Sequence, residues 1–264
     1  MAILAHPDDE SLGMGGTLAK YASEGIETFL LTATRGDAGR YRGHRDGPDH
    51  PGPAALGRIR EAELRAAASA LGIRQVTLLD YHDQQLDRAD PREAIAQIAG
   101  ELRRVRPDVV ATFGPDGAYG HPDHVAIGQF TTAAVAAAAF TAGVEPGGPP
   151  HLVKKLYYIA WAAPLWATYE DVLKKLTSHV DGVDRQAVPW PDWAITTVID
   201  TEAFWPAVWR AVSCHDSQMA GFEKLKHLDG GQHQALWGRQ SFYRALSLVN
   251  GGRTRERDLF EGLR

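Results

Sequence analysis

The chain has 264 residues, a formal net charge of −5 at pH 7, 44% hydrophobic residues and 23% charged residues. That is the balance of a folded globular protein with room for a substantial core. The acidic excess excludes a general nucleic-acid binder, which would carry a basic stripe, and no run approaches the ~20 apolar residues of a membrane span.

Residues 1–5 read as a first strand, 12–23 as a helix and 27–33 as a second strand. The apolar run at 1–4 passes directly into Ala5-His6-Pro7-Asp8-Asp9-Glu10. Proline pushes the residue before it to extended backbone and itself suits a first helical position, so His6 should close the strand and the next residues begin to coil. Residues three apart share a face across a first turn, which brings Asp9 beside His6. The positive end of a helix favours anions, so Asp8 and Asp9 are expected to ionise readily. Gly13, Gly15 and Gly16 lack the G-x-G-x-x-G spacing of a dinucleotide loop; they should let the helix lie close against the sheet or let a ligand approach its backbone.

Residues 35–53 are dense in Gly, Asp, His, Arg and Pro, and so long a loop is expected to form one wall of a site. A helix over 58–71 ends at Gly72, which suits a left-handed cap. A short strand over 75–79 follows, then a helix from Pro91 to about 105, and Pro107-Asp108 start an apolar strand that ends at Phe113. His121-Pro122-Asp123-His124 then repeats the strand-to-helix arrangement and should bring His124 beside His121. The alternation predicts an α/β fold, a Rossmann-like, mostly parallel sheet with helices on both faces. In such sheets the ligand crevice lies outside the carboxyl ends of the strands, where both His-Pro motifs fall.

Residues 141–150, rich in Gly and Pro, read as the connection from a core of about 1–140 to a C-terminal α/β segment of about 151–264, all within one domain. Segments at 155–161, 169–176 and 195–199 look ordered. All seven tryptophans lie in this half, as pocket lining or as core. The single cysteine, Cys214, excludes an internal disulfide and reads as a buried thiol on an apolar helix rather than a nucleophile paired with His215. With no secretory leader in the sequence, the expected location is cytoplasmic.

Two histidines and a carboxylate that leave one position open are the ligand set of a catalytic zinc site. His6, Asp9, His121 and His124 exceed that need by one, and spacing leaves open which histidine of the second motif binds. Metal-assisted hydrolysis also requires a base for the attacking water and a donor for the oxyanion, roles open to Asp8 and His121. Zinc is the expected ion, with iron(II) accepted by the same donors where supply favours it.

Ala5-His6-Pro7-Asp8-Asp9-Glu10 combined with His121-Pro122-Asp123-His124 resembles the LmbE-like, or PIG-L, deacetylase family. Further agreements are Arg60-Glu61-Ala62-Glu63-Leu64 leading to Leu71-Gly72, Tyr119-Gly120, and His215-Asp216-Ser217-Gln218. The resemblance implies a zinc-dependent hydrolase that removes the acetyl group from a small N-acetylglucosamine-type sugar or glycoside. It implies His6, Asp9 and His124 as metal ligands, Asp8 as general base, and a protonated His121 that holds the oxyanion and assists the leaving amine. Arg60, Asp83 and Tyr119 lie where the family places substrate-contacting or site-organising side chains. Rival readings are an amidase acting on a larger amide such as a thiol conjugate, and a noncatalytic metal-dependent sugar-binding protein; homo-oligomerisation is left open. One departure is Gly36-Asp37, where the family commonly has Gly-Glu, and it bears on substrate identity.

Overall fold

A computed structural model describes residues 1–140, 147–172, 177–250, 252 and 254–264. The chain opens with β1 (Ala2–Leu4), fully buried, and turns through Pro7 into α1 (Asp9–Ser23). Next come β2 (Phe29–Thr34), α2 (Pro53–Ala70), β3 (Gln75–Tyr81), α3 (Pro91–Val105) and β4 (Val109–Phe113). A single tight turn, α4 (Gly117–Gly120), leads into α5 (Pro122–Ala139). The C-terminal half contributes β5 (Lys155–Ile159), α6 (Ala163–Val172), a hairpin of β6 (Thr177–Val180) and β7 (Val183–Gln186), then β8 (Thr197–Asp200), α7 (Trp205–Cys214), α8 (Gly230–Trp237) and β9 (Arg239–Ser247).

Among the described residues, seven strands form one sheet in the order β3-β2-β1-β4-β5-β9-β8. The first five are parallel, and β9 and β8 close the far edge antiparallel. Every residue of β1 and β4 is buried, as expected for parallel strands covered on both faces. From β1 the chain steps outward to β2 and β3 on one side, and from β4 outward to β5 on the other. The carboxyl ends of β1 and β4 therefore flank the point where strand order reverses, where such folds bind ligands. Strands of both halves share one hydrophobic core, from Ala2 to Leu259.

The helix starts follow their prolines. Pro53, Pro91 and Pro122 each stand in the first turn, so α2 begins five residues earlier than periodicity alone predicts. α1 likewise starts at Asp9 rather than at residue 12, and Met14 departs from helical angles within the glycine-rich run. The glycines serve close packing: a side chain at Gly16 would meet Thr201 Cβ at 2.8 Å, and one at Gly128 the Phe113 carbonyl at 2.6 Å.

Most tryptophans pack. Trp161 stacks on Trp166 and Tyr169, and Trp205, Trp209 and Trp237 surround the His233 ring at 4.8–5.5 Å between centroids. Trp193 instead stands 86% exposed. Cys214 corrects the expectation of a buried thiol: it sits partly exposed at the end of α7, with Sγ donating to the Arg210 carbonyl. The C-terminal segment is held by buried Glu256, whose carboxylate accepts from Lys155, Tyr157, Thr197, Arg244 and Asn250. Residues 141–146 of the expected connection and 173–176 of the expected segment lie outside the described residues. Among the described residues no helix is long and apolar enough to cross a membrane.

Candidate metal and catalytic site

The strand-end motifs meet. His6, leaving β1, places Nδ1 3.2 Å from Nε2 of His124, which comes from the first turn of α5. Asp9 lies against both rings, with Oδ1 3.4 Å from His124 Nε2 and Oδ2 3.6 Å from His6 Nδ1. A tetrahedral ion with bonds of ~2.0–2.1 Å holds its ligand atoms ~3.3–3.4 Å apart, so the two imidazole nitrogens are spaced as a pair of zinc ligands, with the Asp9 carboxylate beside them. The Nε2 of His6 lies 3.0 Å from Asp123 Oδ2 and 3.1 Å from Asp83 Oδ1, and the Nδ1 of His124 lies 3.3 Å from the Gly117 carbonyl. Such partners fix the tautomer and the ring angle of metal-binding histidines. Phe113 stacks on the His124 ring at 3.9 Å and fixes its plane.

Among the described residues, two further donor groupings draw on this cluster: one atom each from His6, His121 and His124, and one each from His6, Asp83 and Asp123. The second uses the opposite nitrogen of His6, and Asp123 is already occupied. Its oxygens accept from the backbone N–H groups of Gln84 and Leu86, and its side chain is fully buried. Asp123 thus orients His6 from behind, a role that sequence reasoning missed although the residue stands one place ahead of His124.

Electrostatics separate the two aspartates that sequence reasoning treated alike. Burial opposes ionisation of Asp9, but His124, His6 and the His6 N–H hold its carboxyl far below the usual range. Asp8 is the correction: burial raises it to about 6, and Arg60 only partly opposes the rise. Desolvation here outweighs the helix end. Asp8 stands at a φ of 105°, a left-handed conformation that strains a non-glycine residue. Burial opposes ionisation of Asp83 as well, but the bond and charge of His6 together with the charges of Arg60 and His121 bring it down to about 2.

His121 is also corrected. Burial, with His6 and His124 nearby, pushes it down to about 3, so the protonated imidazole expected from the sequence is replaced by a neutral one. Its Nδ1 accepts from the Asp123 N–H at 3.2 Å, which leaves the proton on Nε2.

Arg60 is buried and donates to the carbonyls of Gly36 and Pro7 and to Asp8 Oδ2. It organises the site. Asp8, Asp9, Asp83, Tyr119 and His121 line a cleft of about 220 Å³, with Ala38, Gly39, Arg40 and Arg45 of the long loop as one wall. Of the other loop arginines, Arg35 pairs with Glu61 and Asp80 and Arg42 with Asp216, away from the cleft. Asp37, the departure from the family pattern, accepts from the Asp83 N–H and meets His82, so it braces the Asp83 loop.

Residues 1–135 match the PIG-L family of GlcNAc-PI de-N-acetylases, and the chain belongs to that family. It is 34% identical over 300 residues to a 1D-myo-inositol 2-acetamido-2-deoxy-alpha-D-glucopyranoside deacetylase of Kineococcus radiotolerans, covering 98% of this chain and 81% of the relative. A protein of the same name from Rhodococcus jostii is 33% identical, covering 100% of this chain and 97% of its own length. Among solved structures, a conserved protein from Thermus thermophilus superposes with a TM-score of 0.66 at 26% identity, covering 95% of both chains.

Proposed function

We propose that this chain is a metal-dependent hydrolase that cleaves the acetamide of a small N-acetylglucosaminyl glycoside, releasing acetate and the free amine. The observation that carries this reading is the pair of imidazole nitrogens of His6 and His124 at ligand spacing with the Asp9 carboxylate against both, and Asp8 opening onto the same cleft. His6, Asp9 and His124 would hold a zinc ion, which when bound would supply Lewis acidity toward the water and the amide carbonyl.

Asp8 takes a proton from the attacking water as general base. The hydroxyl adds to the acetyl carbon, and the oxyanion accepts a hydrogen bond from neutral His121 through Nε2. Asp8 then returns the proton to the leaving nitrogen as the C–N bond breaks, since His121 carries no spare proton to give. Asp83 and Tyr119 line the cleft as binding groups for sugar hydroxyls, and Arg60 serves them indirectly by fixing Asp8. The relatives' names specify an inositol aglycone, so that glycoside is the first substrate to test.

The test is acetate and amine release from N-acetylglucosaminides of inositol and malate and from short chitooligosaccharides, with zinc-loaded protein. Equal release of both products from at least one glycoside is expected. Stoichiometric zinc with no release from any of them would transfer the reading to a larger amide.

A further inference from the structure

The run His215-Asp216-Ser217-Gln218 lies more than 200 residues from the first motif, and the mechanism above gives it no work. Each of its residues nevertheless grips a different piece of the site's surroundings. His215 Nε2 lies 2.8 Å from Glu10 Oε1 on α1, and Asp216 pairs with Arg42 at 2.8 Å. Ser217 donates through both N and Oγ to Glu63 of α2, and Gln218 donates to the Arg40 carbonyl of the cleft wall, each at 2.7 Å.

The grip on Glu10 reaches the chemistry. Glu10 is fully buried and His215 is 1% exposed. Through Oε2, Glu10 accepts the backbone N–H of Asp8 at 3.0 Å, while Oε1 receives Ser11 Oγ and His215. That bond holds the peptide of the residue whose φ is 105°, a conformation that persists only where the surroundings enforce it. His215 Nδ1 is buried without a hydrogen-bond partner among the described residues, so the ring's polar contact is spent on Glu10. A buried carboxylate needs such a partner to stay fixed.

We infer that Glu10 and His215 are a positioning pair that holds Asp8 in its left-handed conformation and so aims its carboxylate into the cleft. The inference rests on Asp8 acting as general base. It assigns His215 no contact with substrate; it acts through Glu10.

The test compares His215→Asn, whose amide stops short of Glu10, with His215→Gln, whose amide reaches it. Misplacing a reacting group by about 1 Å costs on the order of 10²-fold in rate, so His215→Asn should lose kcat on that scale with KM and zinc content unchanged. His215→Gln should recover most of the loss, and Asp216→Asn, an exposed change in the same run, should behave as wild type. A crystal structure of His215→Asn should show Asp8 relaxed to negative φ, which can be read whether or not any glycoside is turned over. Wild-type kcat in His215→Asn, equal losses of kcat and KM without rescue by Gln, or Asp8 unmoved in the variant structure would each overturn the inference. A wild-type protein that releases no acetate would refute the proposed function and leave the crystallographic arm standing as the test of positioning.

Discussion

Nη2 of Arg60 stands 3.2 Å from Oδ2 of Asp8, and the carboxyl is still held up at about 6 because burial outweighs the guanidinium. The arginine also donates to two backbone carbonyls, so its planar fork ties α2 to both the Pro7 turn and the Gly36 turn. Lysine carries the charge but presents no fork. Arg60→Lys should therefore lower kcat/KM by roughly 10²-fold while the protein stays folded. Steady-state kinetics beside a thermal melt check this, and unaltered kinetics would show that charge alone suffices.

Gly36 has a φ of 63°, and a Cβ there would overlap the Arg60 guanidinium. Gly36→Ala should reproduce the Arg60→Lys defect in activity. Gly25 has a similar φ of 79° with nothing within 4 Å, so Gly25→Ala should cost only backbone strain, about 1 kcal/mol, with normal turnover. Equal activity in the two alanine variants would argue against the link between this turn and the site.

Asp123 supports His6 from behind and receives two backbone N–H groups from the 84–86 segment. Removing its charge while keeping its shape, as in Asp123→Asn, should weaken zinc affinity by about 10- to 100-fold, the usual effect of losing a partner behind a ligand. Competition against a chelator measures this directly; an unchanged affinity would mean that Asp123 serves only the loop.

Glu256 sets a pH dependence for stability. Burial would raise its carboxyl, but Lys155, Tyr157, Asn250 and Thr197 bring it from 4.5 down to about 2. A carboxyl lowered in the folded state stabilises fully above its unfolded value, and that contribution fades as pH falls from about 4.5 toward 2. Glu256→Gln leaves Lys155 buried without its counter-charge and should cost about 3–5 kcal/mol at pH 7. Denaturant unfolding of both proteins should show the gap narrowing as pH drops below 4.5, and a gap that does not move with pH would place the effect in packing instead.

The legible part of the site was local. His6 and Asp9 could be paired from a spacing of three at a strand end, and both motifs could be placed at one crevice because they close strands of a parallel sheet, but which histidine of the second motif meets His6 came only from the family resemblance. The contacts that escaped are nonlocal or depend on solvation. Glu10 and His215 meet across 205 residues, and no periodicity announces such a pair. The opposite shifts of Asp8 and Asp9 follow from which neighbours surround each carboxyl, and adjacent identical residues cannot reveal that. In the fold, apolar runs and prolines marked β1 to β4 and their helices. The antiparallel edge of β9 and β8 was hidden, because Arg239–Ser247 is only partly buried and mixes polar with aromatic residues.

Asp8 is the residue on which the proposed chemistry turns, and the deciding measurement is acetate release from the inositol glycoside of N-acetylglucosamine by wild type and Asp8→Ala at matched zinc content. Wild type should turn over, and Asp8→Ala should bind zinc equally yet lose roughly 10²- to 10⁴-fold in kcat, the usual worth of a general acid–base group. An Asp8→Ala protein that keeps its metal and a near-normal rate would contradict the assignment of the base and the mechanism built on it.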